Sequence, residues 1–208
     1  MNYEILSAFI LATAALAISP GPDNIYVLTQ SISNGIKYGL STTAGLITGC
    51  IVHTTFLAFG VSALIKDNDQ LFFVIKLFGA FYLFYLAYKV YYTKVHIKLD
   101  STEIPKKSLS QLFRQGFIMN VLNPKVTIFF LAFFPGFLFS KDLNTVIQFY
   151  VLGLIFMIVT FLIFSSIALL SGSIAEQIKR NTGIALFLKW LQIVVFSGIG
   201  IYLLFSDK

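Results

Sequence analysis

Charged side chains are missing from six long stretches of the chain and crowd into the gaps between them. Ile5 to Ile36 contains one charge, Asp23, and Tyr38 to Ile65 contains none, only His53. Leu71 to Tyr92 carries Lys76 and Lys89 near its ends. Gln115 to Ser140 contains one charge, Lys125; Leu143 to Ala175 contains none; Ile184 to Ser206 has Lys189 near its start. A helix needs about 20 apolar residues to cross roughly 30 Å of hydrocarbon, so this pattern predicts six transmembrane helices. Membrane strands would alternate apolar and polar positions, and a run such as Leu152-Gly153-Leu154-Ile155-Phe156-Met157 does not alternate. The expected fold class is an all-α integral membrane protein. Residues 1–208 would form a single transmembrane domain, its halves at about 1–92 and 114–208 joined by a basic link at 93–113.

Two of the six stretches carry breaks. The first runs to 32 residues, too long for one straight span, and contains Ser19-Pro20-Gly21-Pro22-Asp23-Asn24 at its middle. Each proline removes a backbone donor and the glycine loosens the chain, so the helix must be interrupted. The fourth stretch contains Asn120-Val121-Leu122-Asn123-Pro124-Lys125, where Asn123 suits an N-cap and Pro124 a first helical residue. Spans 1 and 4 hold matching places in two three-span halves, and an odd number of spans per half makes the second half inverted relative to the first. Interrupted helices at matching positions of inverted repeats point to a transporter's binding site. Irregular backbone at bilayer depth is tolerated only when it is buried in protein or lines a cavity.

Composition agrees with the pattern: 57% of the residues are hydrophobic, 12% are charged and the mean hydropathy is +0.84. A soluble domain carries about 25% charged residues. The net charge of +6 would indicate nucleic acid only if the basic residues clustered on a soluble face. They mark topology instead. The loops between spans 1–2, 3–4 and 5–6 hold ten Lys and Arg, against three (Lys66, Lys141 and Lys208) on the other side. The ten-residue side is expected to be cytoplasmic, which puts both termini outside and leaves the basic link in reach of anionic lipid. The first residues lack a basic signal-peptide region, so the first span is expected to remain in the mature protein. The single cysteine, Cys50, excludes a CxxC centre or a Cys-built zinc site. No HExxH, Gly-x-Ser-x-Gly or P-loop motif occurs. Neither a metal nor a cofactor is therefore expected, nor enzymatic activity.

At 1.5 Å per residue, Lys125 lies at most about 16 Å from cytoplasmic Arg114, and Asp23 at most about 21 Å from Lys37. His53 lies between Lys37 and Lys66, also near the middle of the bilayer. An unpaired charge there costs at least about 2.5–3.5 kcal/mol, so Asp23 and Lys125, each just after a break, are expected to face one cavity. Two readings stand for each. Asp23 binds a substrate ammonium or carries a proton, or it satisfies freed amides at a helix start. Lys125 meets a substrate carboxylate, or it pairs with Asp23. His53 is a second proton-coupling candidate or a neutral interior residue. It shares a face with Gly45 and Gly49, whose spacing allows close helix packing within the chain or in a homodimer. The aromatic band Phe81–Tyr92 is expected to meet lipid and its interface, and His96 to be solvated.

These motifs together resemble the LysE/RhtB amino-acid exporters: Ser19 to Asn24, Gly45-x-x-x-Gly49-x-x-x-His53, Phe117-x-x-Asn120-Val121-Leu122-Asn123-Pro124-Lys125, and Phe129 to Pro135. The resemblance covers nearly the whole chain. It implies a bacterial inner-membrane secondary transporter that exports small amino acids and is driven by the proton gradient. Many members carry Asp after the second glycine of span 2, where this chain has Cys50. Set on the two breaks, an amino-acid zwitterion would meet Pro22, Asp23 and Asn24 from span 1 and Asn120, Asn123, Pro124 and Lys125 from span 4. The alternatives are an uncoupled channel and an exporter of another small metabolite or ion.

Overall fold

The computed structural model describes residues 3–19, 21–62, 69–92, 107–180 and 182–205. Pro20, His96 and most of the basic link (93–106) lie outside them, as does the side chain of Lys125. All elements among the described residues are helices, with no strand. In chain order the helices are α1 (Tyr3–Ile18), α2 (Pro22–Asn34), α3 (Ile36–Phe56), α4 (Asp69–Tyr92), α5 (Leu109–Val121), α6 (Pro124–Phe133), α7 (Thr145–Leu169), α8 (Ser171–Arg180) and α9 (Thr182–Phe205).

Four helical stretches are long and apolar enough to cross a membrane unbroken: Ile36–Val61, Phe73–Tyr92, Thr145–Leu169 and Leu186–Phe205. The other two spans are bent pairs. α1 and α2 meet at 57°, and α5 and the 126–137 segment meet at 52°. With each pair counted as one span, the six expected spans are present, and both bends fall at the expected proline motifs. Three local features differ from the expectation. Beyond α3 the second span continues as a π-helical turn at Leu57–Val61. The fourth span starts at Leu109, where Ser108 and Gln111 form a reciprocal capping box. The fifth ends at Leu169, and the polar, amphipathic α8 follows where the apolar stretch was expected to run on to Ala175.

The connections are short because each has a specific stop. Gly35 alone joins α2 to α3, and its φ of 105° is one an L side chain rarely adopts. Between α6 and α7, the buried Gln148 holds the turn with all of its amide. Its Oε1 accepts from the Phe139 and Ser140 amides, and its Nε2 donates to the Ser140 and Leu143 carbonyls at 2.8–2.9 Å.

Packing centres on α3, which lies against α5, α2 and α7, while α4 packs on α9 and α1 on α7. The α3–α5 contact is backbone to backbone. A Cβ at Gly45 would fall on the Phe113 carbonyl, and one at Gly116 on the Thr42 carbonyl. Without a hydrophobic drive between helices in lipid, this close approach is what glycine supplies. The Gly45/Gly49 face is thus used inside the chain. A larger core cluster gathers stacked and edge-on rings: Phe9 of α1, Phe129, Phe130 and Phe133 of α6, Phe134 and Phe137 just beyond it, and Phe156 of α7, with centroids such as Phe130–Phe134 at 4.2 Å. A smaller cluster holds Ala17, Val27, Leu46, Phe164 and Ala168. The aromatic band of α4 is largely exposed on the outside of the helix bundle, and at its end Tyr91 meets Trp190 and the Lys189 ammonium of α9.

Gly45→Ala is expected to force α3 and α5 apart, an overpacking cost of about 1–3 kcal/mol. The melting temperature of the detergent-purified protein should fall clearly, whereas Gly172→Ala, with open space at its Cβ, should leave it within about a degree.

Candidate functional site

Each break frees backbone groups that the hydrocarbon cannot satisfy, and the structure shows what takes them up. At the first, α1 ends at Ile18 and α2 restarts at Pro22, with Gly21 as an N-cap that has no side chain to offer. Asn24 reaches back across the break, its Nδ2 donating to the Ala17 carbonyl at 2.7 Å. At the second, the Asn123 amide closes on the Asn120 carbonyl at 3.0 Å. His53 Nε2 lies 3.1 Å from the same carbonyl, so that nitrogen carries the proton and donates.

The two breaks meet. Asn123 Nδ2 lies 3.5 Å from Asp23 Oδ2 across 100 residues of sequence, a long hydrogen bond. Both line one cavity of about 70 Å³, room for several waters. From the first break come Ser19, Gly21, Pro22, Asp23 and Asn24, and from the second Asn120 and Asn123. Five of the seven expected substrate-site residues are therefore brought together: Pro22, Asp23, Asn24, Asn120 and Asn123. Pro124 opens α6 beside them without lining the cavity, and Lys125 follows it as the second residue of that helix.

His53 does not line the cavity. It is buried behind it, against the Phe130 ring and the Asn120 carbonyl. Gly49, one turn away on α3, makes room for Asn120, whose Oδ1 would sit 2.7 Å from a Cβ at that position. The glycine-histidine face of α3 thus shapes the second break from behind.

Sequence reasoning missed the unbroken helices' share of the lining. α3 contributes Leu46, Ile47 and Cys50, α7 contributes Phe156, Thr160 and Phe164, and Leu86 and Phe196 close the apolar side. Thr160 left one signal, a hydroxyl deep inside the most apolar span. Three buried polar atoms on the lining have no hydrogen-bond partner: Ser19 Oγ, Asn120 Oδ1 and Thr160 Oγ1. Such atoms cost about 1–3 kcal/mol each when nothing meets them. Among the described residues no group of three or more His, Cys, Asp or Glu could hold a metal ion.

Comparison with known proteins places this geometry. The chain is 30% identical over 175 residues to the leucine efflux proteins of Salmonella typhimurium (strain LT2) and Salmonella choleraesuis, covering 83% of this chain and 82% of each relative. It is also 30% identical over 179 residues to the homoserine/homoserine lactone efflux protein of Salmonella typhimurium, covering 86% of both. No solved structure matches it. The family model described as LysE type translocator matches residues 14–207. With the apolar spans, the two proline breaks and the cavity between them, the chain is a multi-pass membrane protein that belongs to the LysE family of translocators, a family of transporters and not of enzymes.

Proposed function

We propose that this protein is a secondary transporter of a bacterial inner membrane that exports small amino acids and draws on the proton gradient. The observation that carries the reading is the meeting of the two breaks on one cavity, through Asp23 and Asn123. The efflux relatives, which carry amino-acid names, support the substrate class.

On this reading the zwitterion's ammonium faces Asp23. Its carboxylate faces the uncapped start of α2 and the start of α6, where the first backbone donors have no intrahelical partner. Lys125 brings positive charge to the same helix start and competes with substrate for Asp23. Asp23 is the one acidic side chain among the described cavity residues, so it is the proton carrier we infer. His53, directed at a backbone carbonyl behind the cavity, holds the second break in shape.

The two halves act as inverted repeats that rock against each other. Helix pairing supports this. α3 packs on α5 as α1 packs on α7, each pair joining an unbroken second span of one half to the leading half-helix of the other. The third spans of the two halves, α4 and α9, pack on one another. The Lys and Arg asymmetry sets the cytoplasmic face at the loop that joins the halves.

Proteoliposomes loaded with a mixture of amino acids test the reading. A few amino acids should leave selectively, and faster under an inward proton gradient. Asp23→Asn should insert and melt like the parent yet export at background rate; normal export by this variant would remove Asp23 from the mechanism. His53→Gln should keep its dependence on the gradient. A protease site appended to either terminus should be cut from the periplasm of spheroplasts, and cutting only after lysis would invert the topology.

A further inference from the structure

We propose that Thr160 binds the substrate directly and that the cavity it lines selects amino acids with an apolar side chain. The proposal rests on the amino-acid reading above and adds to it a residue on an unbroken helix and a substrate subclass.

The observation is a missing bond. A threonine inside a helix ordinarily turns its hydroxyl back to the carbonyl four residues earlier. Thr29, Thr42, Thr48 and Thr127 do so here, at 2.6–3.2 Å, whereas Thr13, Thr43, Thr54 and Thr160 are buried without that bond. Of these four only Thr160 belongs to the cavity lining: the residue is 5% exposed and no partner reaches its hydroxyl. It lies on the cavity wall between Phe156 and Phe164, one turn of α7 to either side. Two more residues of the lining carry an unmet polar atom: Ser19 (Oγ, residue 2% exposed) and Asn120 (Oδ1, beside Gly49, residue 5% exposed).

The three atoms differ in what they can do. Ser19 and Thr160 are hydroxyls that donate, whereas Asn120 Oδ1 only accepts. Two donors match the oxygens of a carboxylate, and the Asp23 carboxylate matches an ammonium. The remaining asparagine amides are engaged within the breaks, Asn24 on the Ala17 carbonyl and Asn123 on Asp23. An α-amino acid's own ammonium and carboxylate therefore use the polar groups of the lining. What is left for its side chain is hydrocarbon: Phe129, Phe156, Phe196, Leu86 and Val126. A hydroxyl or ammonium on the substrate's side chain would be buried there without a partner.

The test uses the full-length protein, purified in detergent for thermal melting and reconstituted for efflux. Leucine, isoleucine, methionine or phenylalanine should raise the melting temperature and be exported, with homoserine and lysine needing at least about ten-fold more for the same effect. Thr160→Val, which keeps the shape and removes the hydroxyl, should weaken leucine binding about ten-fold. Its melting temperature without ligand should be equal to or above the parent's, because an unmet buried hydroxyl has been deleted. Thr160→Ser should restore binding to within about three-fold. Leucine bound as tightly by Thr160→Val as by the parent would overturn the role of Thr160. A lower unliganded melting temperature in that variant would do the same, since it marks a structural hydroxyl. Homoserine or lysine handled as well as leucine would overturn the apolar subclass while leaving amino-acid export intact. A parent protein that neither binds nor moves any amino acid overturns both this proposal and the reading it rests on.

Discussion

Hydrocarbon offers a peptide group no hydrogen-bond partner, so a helix broken inside a membrane must find its lost partners in the rest of the protein. Both proline motifs of this chain meet that demand with side chains from within or beside the break. Asn24 takes the Ala17 carbonyl at the first, while His53 and the Asn123 amide share the Asn120 carbonyl at the second. Asn123 then turns to Asp23, so each interruption is made tolerable partly by the other. The cavity is the space left where two irregular segments face each other and cannot pack as closely as regular helices do.

The glycines of α3 belong to the same arrangement. Gly45 and Gly116 bring the α3 and α5 backbones into contact, and Gly49 admits the Asn120 side chain. Asn120 is consequently held from behind, its Oδ1 unmet beside Gly49. A larger residue at position 49 would move the asparagine and, through its carbonyl, the bond from His53. The histidine thereby has a structural account that does not need it to titrate, although its depth in the membrane first suggested a relay.

Spans and breaks were legible because they rest on signals that need no tertiary information: the absence of charge over a membrane's thickness, and prolines where a span should be continuous. The faces of the spans were not. In soluble proteins hydrophobicity separates inside from outside, but here both sides of a helix are apolar. On α7, Phe156 is 6% exposed and Phe161 is 44% exposed, and nothing in their chemistry tells them apart. The pattern therefore found the residues of the breaks, which are polar, and missed the apolar wall opposite. Thr160 fell between these cases. One hydroxyl barely changes the hydropathy of a 25-residue helix, and its meaning rests on a bond it does not make. The amphipathic α8 was lost for a related reason: Ile174 and Ala175 extend the preceding apolar run in composition although the helix has already ended at Leu169.

The unmet atoms also bear on how a translocator of this kind can work. A ligand shifts a conformational equilibrium only by the difference in its affinity for the two states. In the state described here, Ser19 lies at the first break, Asn120 near the end of α5 and Thr160 on α7, and all three residues line one cavity and carry an unmet atom. A guest that bonds all three at once rewards the arrangement in which they converge. If the halves part, the atoms separate, water reaches them, and their cost disappears without the guest. On the proposed reading, the empty protein would thus be biased toward opening and the occupied one toward closure. This bias arises from the desolvation of a few hydroxyl and amide groups, on the order of 1–3 kcal/mol each, and needs no permanent charge beyond those at the breaks. The larger core cluster shares Cys50, Phe129, Phe156 and Phe196 with the cavity wall, and the smaller shares Ala17, Leu46 and Phe164. On the proposed reading, substrate contact and the packing around the cavity would be carried by the same side chains, which is the coupling that alternating access requires.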